Sequence, residues 1–415
     1  MVDVTAVDLF CGAGGLSYGL EATGISVSAG IDIDHACEYP YEANTDGEFL
    51  QRDLSVVLND SEERNRLLNE IRTLYPDEGL RILAGCAPCQ PYSHLSNSSE
   101  TRQKDHDGWG LLEAFREVVS EVDPDIVVME NVPQLRGYDI YDEFRSYFEP
   151  NLDAWAETHT TRPESGYHVW DGVVNTVEYG VPQSRKRLLL LASKHGPIDP
   201  ISPTNSPDTP VTVRRHLTTK SLADIGPGEQ SDIDPLHRAA GLSSKNVERL
   251  KQSAPGGSWE DWDDDLKAKC HQRASGRKYV SSYGRMEWDE PAPTITTQFY
   301  NYGSGRFGHP DYDTENPDLA TNRAISLREG ALIQTFPRWY KFEEEPGELS
   351  NDKLGQLIGN AVPVRLAKVI GGTIQNHLQQ TFGSRSENQQ LTEVTSQEID
   401  VELKSIPTDI IAPPS

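Results

Sequence analysis

Short, continuous apolar runs alternate with stretches of helical spacing over the first half of the chain. Residues 4–10 form the first run, with Asp8 near its end, and the glycine loop Cys11-Gly-Ala-Gly-Gly15 follows. Residues 16–23 carry a helical pattern that Gly24 stops, and residues 27–33 repeat the apolar run around Asp32. Helical spacing returns over 35–44 and 65–74. The run at 81–84 leads to Pro88 and Cys89. Residues 111–122 read as a helix, 125–129 as a buried strand ending on Glu130 and Asn131, and 187–192 as one more strand. Strands that alternate with helices predict an α/β fold with a parallel, doubly wound sheet. Such a sheet carries its functional loops at the carboxyl ends of its strands.

The pattern changes near residue 197. Five prolines fall within 197–210, and both helical and strand periodicities weaken. Residues 326–334 and 354–378 return to apolar, helical spacing. This divides the chain into a main domain over 1–196, a smaller irregular domain with a hinge over 197–340, and a return to the main domain over 341–382. Residues 383–415 are polar, end in Ala-Pro-Pro-Ser, and read as a disordered tail. No internal repeat is visible.

Composition narrows the class. The chain has 415 residues and 36% hydrophobic content, enough for a large core. No apolar run approaches the ~20 residues that span a bilayer. The first residues lack a basic segment, so no signal peptide is expected. Five cysteines without regular spacing predict reduced thiols and a cytoplasmic setting. Acidic residues outnumber basic ones by 65 to 38, for a net charge of -27. That balance alone argues against a polyanionic partner. Adaptation to high salt is one reading of it, and an ordinary acidic protein is the other.

Four motifs carry candidate chemistry. In Asp8-Leu-Phe-Cys-Gly-Ala-Gly-Gly15 the glycines let a backbone approach a ligand closely. Asp32, at the end of the next strand, suits the two hydroxyls of a ribose. Asp53 could accept from an adenine amino group. Cys86-Ala-Pro-Cys89 has redox or zinc spacing, but Cys11, Cys37 and Cys270 are scattered, so no four-ligand metal site is expected. Cys86 reads as a packing residue. Cys89, between Pro88 and Gln90 in a loop, is a candidate nucleophile. Glu130 follows a buried strand and points into the crevice, where it can hold or donate a proton. Arg185 and Arg187 have strand spacing and are expected to share a face, free to contact an anion, a base carbonyl or Glu130.

Taken in order, these segments resemble the cytosine-5 DNA methyltransferases, the enzymes that use S-adenosylmethionine. The resemblance rests on Asp8-Leu-Phe-x-Gly-x-Gly-Gly15, Pro88-Cys89-Gln90, Glu130-Asn131-Val132, Gln183-x-Arg185-x-Arg187 and Gly359-Asn360-Ala361-Val362, with residues 328–337 like the helix before the last motif. It covers about 1–195 and 285–382. It implies a Rossmann-like methyltransferase sheet with a smaller target-recognition domain. Phe10, Gly12, Gly14, Asp32, Asp53 and Asn360 would line the cofactor site. Ile33 stands there where the family often has an aromatic residue, and Ala361 where a serine is frequent. Cys89 would attack carbon 6 of cytosine, Glu130 would hold ring nitrogen 3, and Arg185 and Arg187 would orient the base and Glu130.

The implied partner is double-stranded DNA. Gln90 and Ser93 would lie on the loop that closes over it. Lys267, Lys269, Arg273, Arg277 and Lys278 form a basic stretch, with Arg285 following, and are expected to contact phosphates or guanine edges. Thr296 would approach the phosphates beside the flipped base. The resemblance further implies S-adenosylhomocysteine as product, a restriction endonuclease acting separately, and a monomer. A transfer-RNA cytosine methyltransferase and a catalytically silent DNA-binding relative stay open as alternatives.

Overall fold

A computed structural model of the chain describes residues 3–59, 61–88, 110–148, 166–206, 209–218, 222–269, 271 and 281–383. Cys89, Gln90, Ser93, Arg273, Arg277, Lys278 and the expected disordered tail lie outside the described residues.

Seven strands form one sheet: β1 (Val4–Leu9), β2 (Ser26–Asp32), β3 (Glu48–Gln51), β4 (Leu80–Gly85), β5 (Ile126–Asn131), β6 (His168–Asn175) and β7 (Lys186–Ser193). Their spatial order is β3-β2-β1-β4-β5-β7-β6. The pairs up to β4–β5 are parallel. Strand β7 runs antiparallel to both β5 and β6, so the sheet is mixed rather than wholly parallel. The reason is the connection. Residues 176–185 hold only a 3-10 turn, Thr176–Tyr179, closed by Gly180 at φ 81°. Parallel strands need a crossover of a dozen or more residues, and this link is too short for one. The chain therefore turns back on itself. Strand β6 escapes the sequence pattern because it is a half-exposed outer strand with Trp170, Asp171 and Gly172 in its middle.

Helices cover both faces, which is why β5 is apolar from Ile126 to Met129 and buried at all six positions. On one face, α1 (Gly15–Glu21) and α11 (Val364–Phe382) bring Leu16, Leu20, Ile370 and Ile374 onto Ala6, Val27, Ala84 and Val128. On the other, α4 (Ser61–Thr73), α5 (Leu111–Val122) and α6 (Asp139–Phe148) pack Leu68, Ile71, Phe115, Val119 and Phe144 onto Val7, Leu83, Val127 and Leu190. The faces alternate residue by residue along each strand, as the pleat requires.

The single helix expected over 354–378 is two. α10 (Asn351–Asn360) ends before Pro363, and α11 starts after it. Residues Asn351–Phe382 are apolar enough to cross a membrane by length and mean hydropathy, but 67% of the apolar window is buried inside the protein, as for a core helix. A second cluster joins Cys11, Ala13 and Tyr41, beside the glycine loop, to Val213, Phe299, Phe336 and Leu357. A small satellite holds Trp259, Trp262 and Tyr302.

Candidate active site

The glycine loop leaves β1 through left-handed backbone: Phe10 at φ 58°, Gly12 at 53° and Gly14 at 83°. Gly12 and Gly14 adopt this without a Cβ penalty. The Gly12 amide donates to Asp32 Oδ2 at 3.0 Å, and the Asp34 amide donates to Oδ1 at 2.9 Å. A carboxylate has about four acceptor positions, so Asp32 keeps acceptor capacity for a ligand. Burial raises the Asp32 pKa. Ile33 is 62% exposed beside it. The Arg52 amide bonds the Asp32 carbonyl at 2.9 Å, which brings the exposed Asp53 to the same edge, where its carboxylate accepts from the Ser55 amide at 2.8 Å. Ala361 is buried and packs toward the glycine loop, while Asn360 is exposed at the end of α10. Phe10, Gly12, Asp32, Ile33, Asp53 and Ala361 thus gather at the carboxyl ends of β1, β2 and β3.

Asp8 lies beneath the loop, and its place in the motif alone gives it no role. It is 1% exposed, and its Oδ2 accepts from the Ser17 hydroxyl at 2.7 Å. Ser17 in turn meets the Tyr41 hydroxyl at 2.9 Å. Its Oδ1 has no hydrogen-bond partner among the described residues. Burial pushes the Asp8 carboxyl up to about 7, and the nearby Asp32 adds to this while Ser17 opposes it.

The second half of the site sits at the carboxyl ends of β4 and β5. Glu130 is 2% exposed. Arg187 Nε stands 2.7 Å from Glu130 Oε1. The Cys86 thiol donates to Oε2 at 2.7 Å. Cys86 packs against the sheet, as expected, and its thiol also meets Glu130. Asn131 ties the turn after β4 to β5, its Nδ2 donating to the Ala87 carbonyl at 3.0 Å. The described chain continues to Pro88, immediately before Cys89 in sequence.

Arg185 and Arg187 do not act on one target. Arg185 precedes β7, and its guanidinium donates to the carbonyls of Ile295 at 2.7 Å and Gly359 at 3.1 Å. It positions the segment that carries Thr296 and the end of α10. Gln183 fastens the same segment: its Oε1 accepts from the Ile295 amide at 2.7 Å, and its Nε2 donates to Gln334 Oε1 at 2.8 Å. Gln334 then donates to the Ile358 carbonyl at 2.9 Å. The role of Gln334 does not show in the sequence, because its partners are the Gln183 side chain 151 residues away and backbone carbonyls at the end of α10. Thr296 is half-buried at this junction.

Arg285, expected at the DNA, is enclosed instead. It is 0% exposed, and its guanidinium is taken up by the carbonyls of Leu250, Ser253, His309 and Thr321 and by Asn322. Burial lowers its pKa to about 10. A side chain so enclosed holds the irregular region together and is unavailable to DNA.

The sequence pattern of the C-5 cytosine-specific DNA methylases matches residues 4–376. The chain belongs to that family. As a DNA cytosine-5 methyltransferase it shares the family's general use of S-adenosylmethionine. The Type II methylase M.HgiDII of Herpetosiphon aurantiacus is 43% identical over 373 residues, covering 90% of this chain and 95% of that protein. The Type II methyltransferase M1.BsuMI of Bacillus subtilis is 30% identical, covering 88% and 79%. Among solved structures, a prophage-encoded protein of E. coli superposes with a TM-score of 0.60 at 20% identity, covering 90% and 99%. Its low identity makes that likeness one of fold.

Proposed function

We propose that this methyltransferase modifies carbon 5 of a cytosine flipped out of a specific duplex DNA sequence, through a covalent adduct with Cys89. The observation that carries the reading is Glu130, buried at the end of β5 with a guanidinium on one oxygen and a thiol on the other. It stands across from the strand that leads to Pro88-Cys89-Gln90.

The glycine loop fits the cofactor. A Cβ on Gly12 would meet nothing within 4 Å, so the loop faces open space there. Phe10, Gly12, Gly14, Asp32, Ile33, Asp53, Asn360 and Ala361 would hold S-adenosylmethionine, with Asp32 on the ribose hydroxyls. When bound it supplies an electrophilic methyl group and leaves as S-adenosylhomocysteine.

Carbon 5 of cytosine is a weak nucleophile. A free thiol is only a few per cent thiolate at neutral pH, with a pKa of ~8.5. The Cys89 thiolate adds to carbon 6, and the ring electrons move toward nitrogen 3. Glu130 donates a proton or hydrogen bond there, an effect worth about 10²–10⁴-fold. Arg187 keeps Glu130 in place. Carbon 5, now enamine-like, is methylated. A base, solvent water among the candidates, takes the carbon 5 proton, the carbon 5–carbon 6 double bond re-forms, and Cys89 leaves as thiolate. A stacked base cannot reach these groups, so the cytosine leaves the helix. The region over 197–340 would read the sequence, and Gln90, Ser93, Arg273, Arg277, Lys278 and Thr296 would contact DNA. The named relatives are Type II enzymes, which supports a restriction-modification setting with a separately acting endonuclease.

Labelled methyl transfer tests this. The wild type is expected to label duplex DNA and to form a stable adduct with 5-fluorocytosine DNA, because fluorine cannot leave as a proton does. Cys89→Ala is expected to lose transfer completely while retaining cofactor binding within about twofold of wild type. Labelling of bulk transfer RNA but not of duplex DNA would overturn the reading.

A further inference from the structure

We infer that Cys86 is a positioning residue for this reaction: its thiol sets the orientation of the Glu130 carboxyl. The inference rests on the function proposed above. Arg187 Nε faces Oε1 as an ion pair without hydrogen-bond alignment, and Oε1 has no hydrogen-bond donor among the described residues. With Arg187 holding Oε1 by charge, the Cys86 thiol on Oε2 is the one hydrogen bond this carboxyl accepts among the described residues, and it sets the position of the second oxygen. Rotation about the last side-chain bond of a glutamate is otherwise broad. A buried carboxylate oxygen left without a donor also carries a desolvation penalty.

The thiol is itself held still. The Cys86 amide donates to the Leu9 carbonyl at 3.2 Å, tying it to β1. The next carbonyl, Ala87, accepts from Asn131 on β5. Backbone anchors on both sides hold the Cα from which the thiol reaches Glu130. A thiol is also a weak donor, and each carboxylate oxygen has more than one acceptor position. A base entering the crevice can therefore take its bond from Glu130 without first breaking a strong one.

Steady-state methylation of duplex DNA by the full-length protein tests the inference. Cys86→Ala is expected to lower kcat about tenfold, with KM for DNA and for S-adenosylmethionine changed less than about twofold. Cys86→Ser, which keeps a donor, should recover most of that loss. Combined with Glu130→Gln, Cys86→Ala should add less than about twofold, since the group it acts through is already altered. If Cys86→Ala does not fold, Cys86→Val fills the same packing space without a donor and gives the same comparison. Wild-type kcat in the donor-free variant, equal losses in the serine and alanine variants, or full multiplicativity with Glu130→Gln would each overturn the role of Cys86. A wild-type protein that methylates no duplex DNA would instead overturn the proposed function.

Discussion

At the scale of single residues, Asp8 makes the sharpest demand on the fold. Its carboxyl is sealed beneath the glycine loop, and burial pushes it up to about 7 from an ordinary 3.8. Between those values the folded chain keeps a proton that the unfolded chain has released. The stability due to this group is therefore complete below about pH 4 and is lost as the pH rises through about 7. Asp8→Asn removes the ionisation and keeps an acceptor for Ser17. The unfolding free energy of the wild type, relative to this variant, should fall by about 2–3 kcal/mol between about pH 5 and pH 8. Denaturant titrations at several pH values measure it, and a difference independent of pH would contradict the buried proton. How much of this was legible in the sequence differs residue by residue. Glu130 and Arg187 could be placed because strand ends follow from the apolar pattern. The thiol of Cys86 could not, because its contact depends on β4 lying next to β5. Arg285 was misread because a lone arginine after a basic stretch looks like surface. Its acceptors are backbone carbonyls, with the Asn322 side chain, scattered over a region without periodicity.

At the scale of elements, the glycine loop is held by the contact between α1 and α11. Gly19 sits at the crossing: a Cβ there would lie 2.2 Å from Ala367 Cβ and 2.9 Å from the Val364 carbonyl. Gly19→Ala gains helix propensity of about 1 kcal/mol but forces the helices apart. The clash dominates, because the opposing atoms include backbone. A net loss of about 1–3 kcal/mol is expected. Cofactor affinity should weaken as well, since α1 begins at Gly15 and carries the loop. Gly372, on α11 itself, is the control. A Cβ there meets nothing within 4 Å, so Gly372→Ala should leave stability unchanged or raise it by up to about 1 kcal/mol. Equal effects of the two substitutions in thermal unfolding would refute the packing argument. The alternation of strands and helices up to residue 196 was legible because both faces of the sheet are covered. The direction of β7 was not, because direction depends on the length of the link before it. The break between α10 and α11 was written at Pro363 but masked by apolar spacing on either side.

At the scale of the whole molecule, the net charge of -27 sets folding against binding. Like charges on a compact surface repel, and folding brings them together. Added salt shortens the screening length from ~10 Å at 0.1 M to ~3 Å at 1 M. Exposed ion pairs such as Arg66–Glu62 lose strength at the same time, but such pairs contribute only about 0–1 kcal/mol each. With 65 acidic residues against 38 basic ones, repulsion outweighs attraction, and its relief should dominate. The thermal midpoint is therefore expected to rise steadily from about 0.05 M to about 2 M KCl. DNA binding must move the other way. Each phosphate neutralised by a lysine or arginine contributes a slope of about -0.9 to log K against log salt. Methylation at fixed DNA concentration should then pass through a maximum, stability limiting it at low salt and association at high salt. Unfolding scans and DNA titrations over one KCl series separate the two arms. A midpoint that is flat or falls with salt would show that the acidic excess is already neutralised locally, by the paired arginines, and that the opposition does not exist.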